Sequence, residues 1–163
     1  MQGGHLLEYA LATALAIALL DAAWTDLVRR EIDNWLNGAI VIGAPLFWYS
    51  LNLGLVGIGF QLAIALLVFL VLLFLFWIGQ MGGGDVKLLT ALALWIWPVR
   101  FMQLTIVMAI AGMALTILLY AWHRARRRTD RVKVPYGSAI SIGGLWVLAD
   151  KYIPIAQRSG FLG

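Results

Sequence analysis

Long stretches without a charged residue constrain this chain more than any other feature. From Phe60 to Trp77 the chain runs for 18 residues without Asp, Glu, Lys or Arg. An α-helix of about that length nearly crosses the hydrocarbon core of a bilayer. Hydrophobic residues make up 63% of the 163 residues and charged residues 12%, which is far from the balance of a soluble domain. The sequence therefore predicts an integral membrane protein.

Polar residues, glycines and prolines divide the apolar sequence into six predicted helices. They cover approximately residues 6–24, 37–52, 58–79, 86–97, 101–122 and 136–154. The stretch from Leu88 to Trp122 is too long for one span, so the break is placed at Pro98 to Arg100. The short fourth helix needs protein or water around its irregular entry at Gln80 to Gly84. We predict an all-α polytopic membrane protein, a bundle of about six transmembrane helices, with residues 1–163 forming a single domain.

Composition also excludes several kinds of chemistry. The chain has no cysteine, so disulfides, thiolate catalysis and cysteine-ligated zinc are excluded. The net charge is +4, and half of the basic residues lie between Arg124 and Lys133. Such a cluster beside a predicted span is more typical of contact with anionic lipid than of nucleic-acid binding. We expect the lipid bilayer as a partner, and we expect no nucleic acid, metal or cofactor.

The distribution of Lys and Arg predicts the orientation. With both termini outside, nine basic residues lie at the inner ends of the helices and three at the outer ends. The inner nine are Arg29, Arg30, Lys87, Arg124, Arg126, Arg127, Arg128, Arg131 and Lys133, and the outer three are Arg100, Lys151 and Arg158. This excess favours an external N-terminus. No basic segment precedes the first apolar run, so we predict a retained first span rather than a signal peptide.

Two of the acidic residues fall at the predicted cytoplasmic face. Asp26 follows the first predicted helix and Asp85 precedes the fourth, so the two carboxylates could meet. The glycines Gly82, Gly83 and Gly84 before Asp85 allow another backbone, such as an extended peptide, to approach closely. The spacing of the two aspartates alone also allows each of them a simpler role. Asp85 could be only the cap of the fourth helix, and Asp26 could be a solvated carboxylate paired with a nearby arginine.

Three blocks of sequence together resemble the prepilin peptidases, which are bacterial members of the GxGD aspartyl membrane proteases. The blocks are DLVRREIDNWL at 26–36, GGGDVKLL at 82–89 and VPYGSAI at 134–140, followed by Gly143 and Gly144. The resemblance implies an aspartic-type endopeptidase with Asp26 and Asp85 as its catalytic residues. It also implies a protein of the bacterial inner membrane that cuts the leader peptide of a prepilin or pseudopilin at the cytoplasmic face.

The resemblance carries further expectations about the site. Gly82, Gly83 and Gly84 are expected to bind the substrate from one side of the cleft. Pro135, Tyr136 and Gly137 are expected to bind it from the opposite side. Asp33 stands where the family usually has proline. The cysteine-bearing segment of the bifunctional members is absent, so the match is to the compact form associated with Flp, or tight-adherence, pili, and no N-methyltransferase activity is expected.

Other classes of protein fit some of the same residues. In a small ion-coupled transporter or channel, Asp26 would bind the coupling ion and residues 82–85 would interrupt a helix. The absence of an inverted repeat counts against this alternative. In a purely structural assembly subunit, changing either aspartate would leave function intact. Cleavage of a Flp-type pilin precursor by the purified protein distinguishes the peptidase from both.

The N-terminus has a sequence that resembles a Flp pilin processing site. Gly3 is followed by Gly4, His5, two leucines, Glu8 and Tyr9, and then by an apolar helix. The predicted orientation places this site outside and both aspartates inside, about a 30 Å hydrocarbon core away. We therefore expect the mature protein to keep residues 1–3 apart from possible removal of Met1.

Overall fold

A computed structural model describes residues 2–125 and 135–158, which form six α-helices and no strand. The helices are α1 (Gln2–Arg29), α2 (Asn34–Ser50), α3 (Leu55–Trp77), α4 (Gly83–Ala93), α5 (Pro98–Ala125) and α6 (Tyr136–Arg158). Within these ranges three segments are long and apolar enough to cross a membrane: His5–Arg29, Leu55–Trp77 and Pro98–Trp122. The prediction of an all-helical membrane protein is confirmed. Residues 126–134, which hold most of the basic cluster and the start of the third block, lie outside the described residues.

Four helices form the centre of the bundle. α6 packs against α1 and α4, and α2 packs against the same two helices, while α3 lies on α4 and α5 lies on α6. Leu19, Leu88, Leu92 and Ile140 are fully buried where the central helices meet. The long apolar helices α3 and α5 expose most of their large side chains, such as Phe74. This is the arrangement expected where lipid, rather than water, surrounds the outer helices.

Two glycines allow α6 to lie close to both of its long neighbours. A Cβ atom on Gly143 would come within 2.7 Å of the Leu104 carbonyl oxygen of α5, and one on Gly144 within 2.8 Å of Leu19 Cδ1 of α1. Helices in a membrane associate through close packing of small residues, because lipid tails are as apolar as the side chains. The glycines after the third block therefore fix α6 between α1 and α5.

The short helix α4 ends inside the bundle, and side chains from two other helices bind the carbonyl groups at its end and in the segment just after it. Gln61 Nε2 of α3 donates to the Ala93 and Ile96 carbonyls, at 2.7 and 3.0 Å, and Trp48 Nε1 of α2 donates to the Leu94 carbonyl at 2.8 Å. The end of a helix leaves carbonyls without partners, and lipid cannot supply hydrogen bonds. These contacts explain how an 11-residue helix is stable in a membrane protein.

Some helix boundaries differ from the prediction. α1 continues to Arg29, so Asp26 lies in its last turns instead of after it, and α4 begins at Gly83, so Asp85 lies in its first turn instead of before it. Apolar runs mark the length of a buried stretch, whereas a helix can continue through polar residues beyond it. Pro98 is the first residue of α5, where its missing N–H costs nothing, and the break falls at residues 94–97.

The continuous helix α1 generates a prediction about the N-terminus. Gly3 and Asp26 lie in one helix and are therefore about 35 Å apart along its axis. Glu8 is anchored to α6, because it accepts hydrogen bonds from Lys151 Nζ and the Tyr152 hydroxyl, each at 2.9 Å. We expect the intact mass of the purified protein to include residues 1–3, apart from possible loss of Met1. A product that begins at Gly4, and that is missing from the Asp85→Asn variant, would show self-cleavage and contradict this expectation.

Candidate active site

One cavity of about 790 Å³ brings the first, second and third sequence blocks together. It lies between the end of α1, the loop to α2, the segment before α4 and the start of α6. Its lining residues are Asp26, Arg30, Glu31, Ile32, Asn34, Gly79, Gln80, Met81, Gly82, Gly83, Gly84, Asp85, Lys87 and Tyr136. Both aspartates and four of the six predicted substrate contacts therefore face the same space. Pro135 and Gly137 are not among the lining residues, and their role in substrate binding stays a prediction.

Asp26 is held in place by the first turn of α6. Its side chain is buried, with 6% of the residue exposed, and its Oδ2 accepts a 2.7 Å hydrogen bond from the backbone N–H of Ser138. The backbone N–H of Gly137 lies beside the same carboxylate. The first N–H groups of a helix have no partner within it, and a carboxylate at this end is favoured by the helix dipole. Asp26 thus caps a helix that is distant in sequence.

Gly137 makes this contact possible because it has no side chain. A Cβ atom at this position would lie 2.9 Å from Asp26 Cγ and 2.7 Å from Ile32 Cδ1. The turn is closed by Ser138, whose hydroxyl donates to the Pro135 carbonyl at 2.6 Å. The third block therefore positions Asp26 through its backbone, while the half-exposed Tyr136 side chain faces the cavity. Sequence analysis missed this positioning role.

Asp85 has a different environment in the first turn of α4. Burial, and after it the nearby charge of Asp26, raise the pKa of Asp85 from 3.8 to about 6, against the opposing effect of a backbone hydrogen bond from Gly82. Gly82, and not Asp85, is the N-cap residue of α4. A Cβ atom on Gly82 would lie 3.0 Å from Asp85 Oδ2. Asp85 is therefore not the N-cap residue, although its carboxylate accepts a hydrogen bond from the backbone of that residue.

Charged neighbours surround the two aspartates. Arg29 forms a 2.7 Å ion pair with Asp33 on the outside of the loop. Arg30 and Glu31 line the cavity instead, and Arg30 has a left-handed backbone with φ of 57°. Such a backbone is uncommon for a residue with a side chain. Nothing in the sequence distinguishes the two adjacent arginines, so only the structure separates their positions.

A further contact that the sequence did not indicate joins the first and second blocks. Lys87 Nζ of α4 donates to Asn34 Oδ1 at the start of α2, at 2.7 Å. Both residues line the cavity. The bond connects the loop after Asp26 with the helix that carries Asp85, so it helps to set the relative position of the two carboxylates. Its only sequence signal is that each residue lies within one of the blocks.

A helical membrane protein with two carboxylates at one polar cavity has the groups that aspartic-type peptidases use. The chain belongs to the type IV leader peptidase family, whose model matches residues 13–119. That match spans more than half of the chain and includes both aspartates, but it ends before the third block. It confirms the predicted prepilin peptidase family and defines the protein as a leader peptidase-like protease. Neither the comparison with curated proteins nor the comparison with solved structures gave a match.

Replacing Asp85 with Asn is expected to stabilise the folded protein at neutral pH. The pKa of Asp85 is raised from 3.8 to about 6, so the folded chain binds more protons than the unfolded chain between these values. Stability therefore falls as pH rises through this window. At neutral pH the ionised Asp85 lowers the free energy of unfolding by at most about 3 kcal/mol. Asn has the same shape without the charge, so the Asp85→Asn variant avoids this loss of stability.

Thermal unfolding in detergent from about pH 4 to about pH 8 measures this effect. The stability of the wild type relative to Asp85→Asn should fall up to about pH 6 and then stay level. Asp33→Asn serves as a control that removes an aspartate from an ion pair at the loop surface, and it should bring no stabilisation. Equal stability of Asp85→Asn and the wild type at pH 7 would show that this carboxylate is not strained by its surroundings.

Proposed function

We propose that the chain is an aspartic-type endopeptidase that cleaves the leader peptide of Flp-type prepilins or pseudopilins at the cytoplasmic membrane face, with Asp26 and Asp85 as its catalytic pair. One observation carries the proposal. The two carboxylates come from α1 and α4, line one cavity, and are close enough for the charge of Asp26 to contribute to the raised pKa of Asp85. Two such groups tend to share one proton, which provides an acid and a base at the same place.

The different surroundings of the two aspartates support a division of roles. Asp26 lies against backbone amides at the start of α6, and such donors favour the ionised form of a carboxylate. Asp85, with its pKa near 6, carries the shared proton. Asp26 takes a proton from the attacking water while Asp85 donates its own proton toward the scissile carbonyl oxygen. The roles reverse when the amine leaves and the C–N bond breaks.

The cavity also suits an extended peptide as substrate. Its wall from Gly79 to Gly84 contains four glycines, which leave the backbone accessible for hydrogen bonds with another chain. Glu31, Arg30 and Lys87 give the lining charges of both signs beside the two aspartates. In this proposal the three glycines before Asp85 contact the substrate backbone, and Tyr136 contacts it from the opposite side.

Other features support the proposed location and the proposed compact form of the enzyme. Arg30 and Lys87 line the cavity with the aspartates, and Arg29 lies on the adjoining loop. The excess of basic residues at this end supports a cytoplasmic active site in the bacterial inner membrane, with both termini outside. α1 and α2 are joined by residues 30–33 only. So short a loop supports the compact Flp-type form, without N-methyltransferase activity.

Substitution of the aspartates tests the proposal directly. Asp26→Asn and Asp85→Asn should each lower the cleavage rate of a purified Flp-type prepilin by at least about 100-fold, because an amide cannot take part in the proton transfers. Asp33→Asn and Asp21→Asn should retain cleavage. Asp33 is paired with Arg29, and Asp21 lies more than one turn away from Asp26 on α1. Mass spectrometry of the products measures each rate.

The outcomes separate the possible errors. Near-normal cleavage by either catalytic variant would exclude that residue from the pair. An inactive Asp33→Asn together with an active Asp26→Asn would show that the wrong aspartate of the first block was chosen. A folded wild-type protein that cleaves no prepilin would reject the proposed substrate.

The position of Gly137 generates a second test. Gly137→Ala should lower cleavage by at least about tenfold, because the added methyl group displaces Asp26 from the amides of α6 and misplaced catalytic groups lose activity steeply. Gly38→Ala is the matched control, since a Cβ atom at Gly38 meets nothing within 4 Å. Both variants are compared at equal amounts of folded protein. Equal activity of the two would mean that Asp26 does not depend on this close approach.

A further inference from the structure

A second groove lies along α5 and shares Tyr136 with the candidate active site. Its volume is about 300 Å³, and it is lined by Tyr136 together with residues of α5, namely Met108, Ala109, Gly112, Met113, Thr116 and Ile117. Tyr136 also lines the cavity that contains Asp26 and Asp85. This one side chain is therefore a shared wall of the polar cavity and the apolar groove.

Small residues give the groove its shape. Gly112 is buried beneath the Tyr136 ring, and a Cβ atom there would contact Tyr136 Cε1 at 3.5 Å. The hydroxyl of Thr116 already donates to the Gly112 carbonyl at 2.7 Å, so it needs no partner from outside. None of the described lining residues is charged. Small residues beside flexible methionines form a surface against which another apolar helix packs well.

The groove is open to the membrane. Among the described helices α5 packs extensively only against α6, and Met113 and Ile117 are 61% and 62% exposed. From Met108 to Ile117 the groove extends about 14 Å along α5, which matches two to three turns of a second helix. An occupant that reaches this surface comes from the lipid and is itself apolar.

We propose that the α5 groove binds the apolar helix that follows the cleavage site of the substrate, and that the substrate passes beside Tyr136 from the groove into the cavity. The inference rests on the proposed function. A prepilin changes from a polar leader to an apolar helix near the bond that is cut. The surface of this chain changes likewise, from the polar cavity on one side of Tyr136 to the apolar groove on the other. The polar cavity receives the extended leader, whereas the uncharged groove receives the helix.

Filling the groove tests this assignment with two substrates. Ala109→Trp places a large ring in the groove, whereas Ala114→Trp makes the same change at an exposed position of α5 that does not line it. The substrates are a full-length Flp-type prepilin and a soluble peptide that spans the cut but lacks the apolar helix. Ala109→Trp should lower kcat/KM for the prepilin about tenfold or more, mainly through KM. It should leave cleavage of the peptide unchanged, and Ala114→Trp should affect neither substrate.

Several results would overturn the assignment. Ala109→Trp could have no more effect on the prepilin than Ala114→Trp, or it could lower the cleavage of both substrates equally. In either case the groove does not bind the apolar helix. A wild-type protein that cleaves neither substrate would reject the proposed function itself, so the two failures are distinguishable.

Photo-cross-linking identifies the occupant independently of turnover. A photoreactive residue is placed at Met113 in the groove, or at Ala114 as the control, in the Asp85→Asn variant so that the prepilin stays intact. With prepilin present, position 113 should form an adduct with its apolar helix, and position 114 should form little or none. An adduct of position 113 with a second copy of the chain, or with lipid alone, would reject the proposal.

Discussion

The hydrogen bond from the Ser138 backbone N–H to the Asp26 carboxylate is the contact on which the candidate site depends. α6 begins beside the cavity, so the N–H groups of its first turn need acceptors that lipid cannot provide. Asp26 is buried and needs donors. One contact at 2.7 Å meets both needs and joins the end of α1 to the start of α6. Gly137 has no side chain, and any larger residue there would collide with Asp26. The third block therefore serves to place backbone N–H groups where they bind the Asp26 carboxylate.

This contact also gives the two aspartates different partners. Asp26 receives backbone amides from α6, while burial and the charge of Asp26 raise the pKa of Asp85 to about 6. Two carboxylates in one cavity tend to share one proton, and different surroundings favour one of them as the acid and the other as the base. The arrangement reduces folding stability at neutral pH, because an ionised Asp85 is less well accommodated in the folded protein than in the unfolded chain. In the proposed peptidase the same burial lets Asp85 keep its proton up to about pH 6, well above the range of an ordinary carboxyl group.

The short helix α4 opens the space in which the two carboxylates meet. Gln61 and Trp48 satisfy its C-terminal end inside the bundle, so the helix does not have to cross the membrane to be stable. Its N-terminal end with Asp85 then lies beside the end of α1. The long helices α3 and α5 lie outside this centre and face lipid. This division explains how a polar cavity and an apolar groove can adjoin at Tyr136, and it is the physical basis for assigning different parts of one substrate to them.

The sequence by itself determined the class of protein, the number of helices and the two aspartates of interest. Uncharged runs such as Phe60 to Trp77 require a lipid environment whatever the tertiary structure is, and the blocks around Asp26 and Asp85 indicated the family that the match over residues 13–119 then confirmed. The tertiary structure alone decided that both aspartates lie within helices, that Arg29 pairs with Asp33 while Arg30 faces the cavity, and that Gly137 packs against Asp26. Periodicity and composition report on neighbours along the chain, whereas these contacts join segments as far apart as Asp26 and Ser138. The α5 groove likewise arises only where Gly112 and Tyr136 meet, because its shape belongs to the packed helices and to neither segment alone.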